Sequence, residues 1–176
     1  MVLINPVGVQ AQGNVTWWAV PTIANEAAAT ATELNATSGL NISCFLYESS
    51  LESTIDQNKV DSMRRLCSRD TFQKLGNTTY TLGDLMYSID PQAAPTTDGN
   101  KARTLLVAGT KLYLVRRLGK DAQSNDQAVS GDRYRSFYVQ LGPQDERADT
   151  SNEANEVQIQ QTVVVLKKPV DGVVAA

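Results

Sequence analysis

The side chains that could perform chemistry in this 176-residue sequence are few, and histidine is not among them. Histidine is the commonest general base and metal ligand, and it completes the usual serine and cysteine nucleophile pairs. The glycines stand singly at turn positions, so no glycine-rich phosphate-binding loop opens a helix. The sequence therefore argues against an enzyme and predicts no catalytic residue, no cofactor-binding residue and no metal site.

Two carboxylate pairs remain as candidates for acid–base chemistry or for binding a hard cation such as calcium. They are Asp145 with Glu146 and Asp121 with Asp126. Both pairs lie in polar stretches, which favours simple solvation. An aspartate-based hydrolase stays open as an alternative, and it would require a carboxylate pair that converges in a concave pocket with shifted pKa values.

The charged side chains are nearly balanced, with 19 acidic against 16 basic residues and a net charge of -3. No long basic tract occurs, which disfavours strong binding to duplex DNA. Local basic clusters occur at Arg64-Arg65, Arg116-Arg117 and Arg133 with Arg135. Solvated strand or helix edges explain each of these clusters.

The cysteine count and the length of the apolar runs indicate in which cellular compartment the protein is made. Cys44 and Cys67 are too few for a disulfide scaffold and are not spaced as a metal site, so reduced thiols in the core are predicted, with a single bridge between them as the alternative. No apolar run approaches the roughly 18 residues of a membrane span, and Met1 to Pro6 lacks the basic start of a signal peptide. We expect one domain over residues 1–176, made in the cytoplasm and without a membrane partner.

One helix is predicted in a sequence otherwise patterned for strands. Asp98 can cap its start, the apolar residues that follow recur at helical spacing, and Gly109 can supply the left-handed turn that ends it. The pattern predicts an α-helix over about 98–108, followed by a strand over 111–117. Because a helix with one apolar stripe must cover a sheet face, the predicted fold class is mainly β (α+β), a sandwich or barrel with one flanking helix.

Strands are predicted wherever apolar and polar residues alternate or β-branched and aromatic residues cluster. These segments are 15–20, 40–46, 85–89, 134–141 and 157–165. Trp17 and Trp18 are adjacent in the first strand and therefore point to opposite faces, so we expect one in the core and the other against a neighbouring chain. The spacing of Thr30 and Glu33 fits a capping box and allows at most one helical turn.

Polar stretches separate the predicted strands. One of them, 48–58, lacks regular apolar spacing and predicts a long loop and not a tight hairpin. Residues 60–67 fit either a helix or an extended segment, and Gly76-Asn77 indicates a turn. Further loops are predicted at 91–99, 118–132 and 142–155. The C-terminal end, 169–176, is too apolar for a solvated tail and predicts a C-terminal arm that docks on another surface. An N-terminal arm is predicted as well.

Several short motifs follow one another in a set order. They are the opening Met1 to Pro6, Pro21-Thr-Ile23 before Glu33-Leu34, Ser43-Cys44, Arg65-Leu-Cys67, Tyr87 before Asp90-Pro-Gln92, Leu114 to Arg117, Gly131-Asp132, and Val139 to Gln144. In this order, and at this chain length, they resemble the major tail proteins, or tail tube proteins, of long-tailed bacteriophages, especially those infecting actinobacteria. The resemblance spans nearly the whole chain.

The resemblance implies a tail-tube fold, a β-sandwich or barrel with a helix on its flank. It implies hexameric rings that stack into a hollow tube, the conduit for DNA ejection, which houses the tape measure protein and passes genomic DNA without sequence-specific binding. Other tail proteins would bind the tube ends. The implied location is the virion tail, after assembly in the host bacterial cytoplasm.

Ring-to-ring contacts are expected from the loop 48–58 and the two terminal arms, since segments disordered in a monomer can order on assembly. Two other functions stay open. The chain could be another tail ring protein, such as a terminator or a distal tail protein. It could also be a carbohydrate- or receptor-binding β-sandwich in which Trp17 or Trp18 provides a stacking platform.

Overall fold

A computed structural model of the chain describes residues 3–148, 150–151 and 155–176. Over these residues the fold is mainly β, as predicted, with one curled seven-stranded sheet and one two-stranded hairpin. The strands are β1 (Val15–Val20), β2 (Leu40–Asn41), β3 (Ser53–Asp61), β4 (Gln73–Leu82), β5 (Leu85–Ser88), β6 (Lys111–Leu118), β7 (Arg133–Arg147), β8 (Gln158–Val165) and β9 (Val170–Val173). The helices are α1 (Ala31–Leu34) and α2 (Lys101–Leu105). Within these residues, no helix is long and apolar enough to cross a membrane.

The large sheet is antiparallel, with strand order β2-β1-β6-β7-β8-β5 and with β9 also paired to β7. β7 is long enough to have two neighbours on one side. Its first part pairs with β9, where Ser136 lies opposite Val170, and its second part pairs with β8, where Leu141 lies opposite Val163. The loop predicted at 142–155 is therefore wrong as far as Arg147, because β7 continues through a bulge after Leu141 that accommodates Pro143.

Both faces of the sheet centre are buried. One apolar cluster covers the face that carries Trp17, and a second covers the face that carries Trp18. The exposed fractions of these two side chains are 5% and 2%. The prediction that one tryptophan lies against a neighbouring chain is therefore wrong, because α1 and the loops around it bury the second face within the subunit.

The predicted helix over 98–108 is much shorter than expected. A 3-10 turn at Asp98–Asn100 leads into α2, and the chain leaves helical geometry at Leu106. The Leu106 carbonyl accepts hydrogen bonds from the side-chain amides of Gln144 (3.0 Å) and Gln161 (2.9 Å). These sheet glutamines hold the end of α2, so a contact distant in sequence ends the helix before Gly109, which has the predicted left-handed conformation (φ 80°).

The strand predicted at 40–46 is wrong beyond Asn41. The side-chain oxygen of Asn41 accepts hydrogen bonds from the Ser43 hydroxyl (2.6 Å) and the Ser43 N–H (3.1 Å), and these bonds fold the next residues into a turn. Ile42 is still buried, but Cys44 is exposed. The capping box is confirmed: Thr30 caps α1 and Glu33 reaches back to the Thr30 N–H (2.8 Å).

The long loop predicted at 48–58 is wrong from Ser53 onward. Residues 53–61 form β3, which pairs with β4 in a hairpin. Gly76, predicted to lie in a turn, is in the middle of β4, opposite a register shift between Gln57 and Lys59. A Cβ at this glycine would lie 2.2 Å from Oδ1 of Asn58, so the Asn58 side chain would have to move to admit a larger residue beside the bulge.

The C-terminal residues are part of the sheet. The Val174 side chain is 3% exposed, its N–H donates to the Asp132 carbonyl, and the Ala175 N–H donates to the Ala29 carbonyl. Beside them, the Tyr134 hydroxyl donates to the Glu26 carbonyl (3.0 Å) and accepts from the Ala29 N–H (2.7 Å). The apolar end 169–176 thus docks on its own subunit and does not extend as a free arm.

We predict that Gly172→Ala destabilises the fold. An added Cβ would lie 2.5 Å from Cζ of Tyr134 and 2.9 Å from the Ala27 carbonyl oxygen, so the ring must move and lose its hydrogen bonds. Such overpacking costs about 1–3 kcal/mol in free energy of unfolding. Urea denaturation measures this change. The control is Gly99→Ala, whose Cβ would meet nothing within 4 Å, and equal losses in both variants would contradict the prediction.

Candidate assembly surfaces

The candidate carboxylate pairs do not converge on a common point. Asp145 accepts a hydrogen bond from Arg147 (2.9 Å), whereas the adjacent Glu146 pairs with Arg103. Asp121 accepts from the Ser124 hydroxyl (2.6 Å) within its own loop. Among the residues that the structure describes, no group of three or more acidic, cysteine or histidine side chains could hold a metal ion.

Arg117 is a buried arginine at the centre of an ion-pair network. Its side chain is 2% exposed, donates to Asp132 (2.8 Å) and Thr16 (3.1 Å), and stacks 4.9 Å from the Trp18 ring centre. It also donates to backbone carbonyls of Asn125 and Gln127. A solvated strand edge does not explain this residue, which clamps the loop 119–132 onto the sheet.

The carboxylate of Asp132 is held in its ionised form. Burial raises its pKa, but hydrogen bonds from Lys120, Arg117 and the Val129 N–H outweigh this effect and leave the pKa below its ordinary value. Because the same carboxylate joins the guanidinium to the ammonium, its charge holds both ends of the loop 119–132.

The β3–β4 hairpin, residues 53–82, is a largely uncovered part of the described chain. Nearly every residue of β3 and most residues of β4 are exposed. The exposed residues include large apolar side chains with exposed fractions from 50% to 111%, namely Ile55, Val60, Met63, Leu66, Phe72 and Leu75. Sequence analysis missed this hairpin because a ribbon open on both faces has no apolar alternation. The β-branched and aromatic run Thr78 to Thr81 was the signal for β4.

The loop that joins β3 to β4, residues 62–72, is named here the hairpin tip. It carries Arg64, Arg65 and Arg69 against one carboxylate, Asp70. Cys67 also lies in the tip and is an exposed free thiol. Since Cys44 is exposed as well, the predicted core location of both cysteines is wrong, and no bridge joins them.

The N-terminal segment, residues 3–12, is a second uncovered stretch. It has no helix or strand, and its apolar side chains Leu3, Ile4 and Val7 are 82–94% exposed. The chain is anchored just after it, where the Asn14 carbonyl accepts from the Gly119 N–H and the Gly13 carbonyl accepts from the Ala122 N–H. Met1 and Val2, with which the predicted N-terminal arm begins, lie outside the described residues.

Two large grooves lie on the surface of the sheet. The arginine groove, about 650 Å³, is lined by Arg116, Arg133, Arg135 and Asp171 among others. Burial, and then the Arg135 charge, lower the pKa of Arg116, while Arg135 makes a two-bond contact with Asp171 (2.6 and 2.8 Å). Arg116 also donates to the Ser53 hydroxyl (2.8 Å) at the hairpin base.

The acidic groove, about 710 Å³, opens on the same face of the sheet as the arginine groove, because Trp17 lies opposite Arg116 and Val15 opposite Leu118 in the β1–β6 pair. Its lining includes Val15, Trp17, Cys44, Leu46, Glu48 and Asp121. Glu48 and Asp121 are the charged residues that line this groove, and both are acidic. The loop that Arg117 and Asp132 hold in place forms one wall of this groove. Another wall includes Ser50, which lies shortly before the start of β3.

Comparison with known proteins identifies a family. Residues 3–176 match the family model described as phage tail tube protein. No curated protein sequence matches the chain. Among solved structures, one chain of the anti-feeding prophage baseplate, determined by cryo-electron microscopy with six-fold symmetrisation, is similar in fold. Its TM-score is 0.54 at 7% sequence identity, and the alignment covers 99% of this chain and 100% of that one.

We predict that Asp132→Asn lowers the free energy of unfolding by about 3 kcal/mol, since it leaves the buried Arg117 guanidinium without its counter-charge. The folded protein keeps this carboxylate ionised at lower pH than the unfolded chain does. Its contribution is therefore complete above about pH 4 and is lost as the pH falls further. Urea denaturation between pH 7 and pH 3 measures both effects.

The matched control is Asp171→Asn, which breaks the pair with Arg135 at a carboxylate whose side chain is 70% exposed. Surface pairs contribute at most about 1 kcal/mol. A loss at Asp132 no larger than the loss at Asp171, or an unchanged acid dependence in Asp132→Asn, would show that the network does not stabilise the fold.

Proposed function

Because the chain belongs to the phage tail tube protein family, we propose that it is the subunit of a phage tail tube, assembling into stacked hexameric rings that form the conduit for DNA ejection. It is a structural tail protein, and the family is not an enzymatic one. The observation that carries the proposal is the β3–β4 hairpin, which projects from a well-packed sheet with its apolar side chains uncovered. The six-fold symmetrised assembly of the structural neighbour supports the hexamer.

The hairpin needs a partner on energetic grounds. A two-stranded hairpin is at best marginally stable alone in water, and one with six large apolar side chains exposed gains stability when a second surface covers them. A second copy of the chain is the partner that self-assembly supplies. The N-terminal segment, with Leu3, Ile4 and Val7 exposed, is a further contact between subunits.

The remaining parts of the proposal follow from the family. The chain forms one tail-tube domain over residues 1–176, has no catalytic role, and resides in the virion tail after assembly in the host cytoplasm, as in actinobacterial phages. Its partners are copies of itself, other tail proteins at the tube ends, and the tape measure protein and genomic DNA in the lumen. No sequence-specific DNA contact is involved.

The open face of β8 fits the tube lumen. It carries Gln158, Gln160, Thr162 and Val164, while the residues between them point into the subunit. Asp145 lies opposite Gln160 on the neighbouring strand. A polar face with few cations contacts phosphates weakly, so DNA can slide without sticking.

We predict that removing the hairpin abolishes tubes and leaves the subunit folded. The variant deletes residues 55–80 and joins Thr54 to Thr81, which are directly paired, through an Asn-Gly turn. Deleting 48–58 instead would leave β4 without its partner strand. Circular dichroism and sedimentation should report a folded monomer, and negative-stain microscopy should show no tubes.

The control for this deletion is the full-length chain under the same conditions, which should give long tubes. Tubes from the deletion variant would overturn the role of the hairpin. Closed single rings from the full-length chain would instead identify a terminator or distal tail ring protein, and monomers at every concentration would contradict the proposed function itself.

We predict that a cysteine at Thr162 lies inside assembled tubes. In a Cys44→Ser, Cys67→Ser background, Thr162→Cys should react in the tube with a small maleimide but not with a large polyethylene-glycol maleimide, and with both reagents in the monomer. Val129, 51% exposed on the loop 119–132, gives the comparison variant Val129→Cys. Equal labelling of Thr162→Cys by both reagents in tubes would place β8 on the exterior.

A further inference from the structure

We infer that the hairpin tip of one subunit binds in the acidic groove of a second copy of the chain. This inference rests on the proposed self-assembly and names the surface that receives the hairpin. It requires no ligand or cofactor, since both contacting surfaces belong to this chain.

The tip is a basic and apolar plug. Arg64 and Arg65 precede Leu66, whose exposed fraction is 111%, and Met63 is 96% exposed. Burying these two side chains against a partner removes their apolar surface from water, which favours association. The arginine side chains can keep their guanidinium groups at the rim of an apolar contact while their stems pack inside.

The acidic groove has the complementary character. Val15 and Leu46 are half-buried apolar lining residues, the buried Trp17 also lines the groove, and Glu48 and Asp121 supply the charges. Its volume of about 710 Å³ is within the range of concave sites that hold several side chains. A Leu66–Met63 plug with its arginines toward Glu48 fills an apolar pocket and pairs opposite charges at its rim.

Charge selects between the two grooves. The arginine groove carries three guanidinium groups against the single carboxylate of Asp171, and the tip carries three arginines against the single carboxylate of Asp70. Bringing these two surfaces together would place like charges opposite one another, which disfavours association. The acidic groove has no basic lining residue, so it is the groove that accepts the tip.

The contact is head-to-tail and therefore repeats. The acidic groove reaches the hairpin base through Ser50, next to the start of β3, whereas the tip is at the far end. The nine residues of β3 separate base and tip by about 30 Å. Each copy that binds by its tip leaves its own groove open to the next copy, and a heterologous contact of this kind propagates along an axis.

The two native cysteines report this contact directly. Cys67 lies in the tip and Cys44 lines the acidic groove, and the chain has no other cysteine. The experiment co-assembles Cys44→Ser subunits with Cys67→Ser subunits, so that each copy carries one thiol, and treats the tubes with a short bismaleimide. We expect a cross-linked dimer in the mixture and none in tubes of either variant alone.

Charge reversal tests the same contact without cysteine chemistry. Arg64→Glu with Arg65→Glu should abolish tubes, as should Glu48→Arg, and combining the three substitutions should restore tube formation in part. Asp98→Arg is the matched acidic control, because this carboxylate pairs only with its neighbour Lys101 among the ion pairs of the described residues, and it should leave tube formation unchanged.

The outcomes separate this inference from the proposed function. Tubes that give no dimer in the mixture, or a dimer in Cys44→Ser alone, would overturn the tip-to-groove contact and leave the tail-tube assignment standing. A triple charge variant no better than the doubly substituted tip would also overturn it. Failure of the unmodified chain to form any tubes would overturn the proposed function first.

Discussion

The burial of the central sheet on both faces is the constraint on which the rest of the structure depends. Because β1, β6 and β7 are covered on one side by α2 and on the other by α1 and the loops around it, the subunit buries its own core. No apolar sheet face at this centre is left for a partner. The most exposed apolar side chains lie away from this centre, in the hairpin (Met63, Leu66) and the N-terminal segment (Leu3, Val7).

The buried Arg117 links this core to the surface. It lies on β6 between Trp18 and Asp132, and through the carbonyls of Asn125 and Gln127 it fixes a loop of polar composition that would otherwise have many conformations. One wall of the acidic groove is thereby preorganised. Preorganisation matters for assembly, because a wall that is already ordered loses little conformational entropy on binding.

Local pattern predicted the elements whose causes are local. The capping box at Thr30, the strands β1, β5, β6 and β8, and the left-handed Gly109 follow from spacing and composition alone. Elements whose ends are set by contacts between residues far apart in the sequence could not be predicted. Gln161 ends α2 from 55 residues away, and the hairpin, exposed on both faces, has no periodicity to detect. The basic pair Arg64-Arg65 was visible, but its place at a projecting tip was not.

The edge of the hairpin has a consequence for the time before assembly. Among the described residues β3 pairs with β4 alone and is therefore an edge strand. It carries Asp56, Lys59 and Asp61 and is interrupted by a bulge. Charges and bulges on an edge oppose indiscriminate strand pairing. Before assembly, these features thus oppose amyloid-like pairing of hairpin edges between subunits.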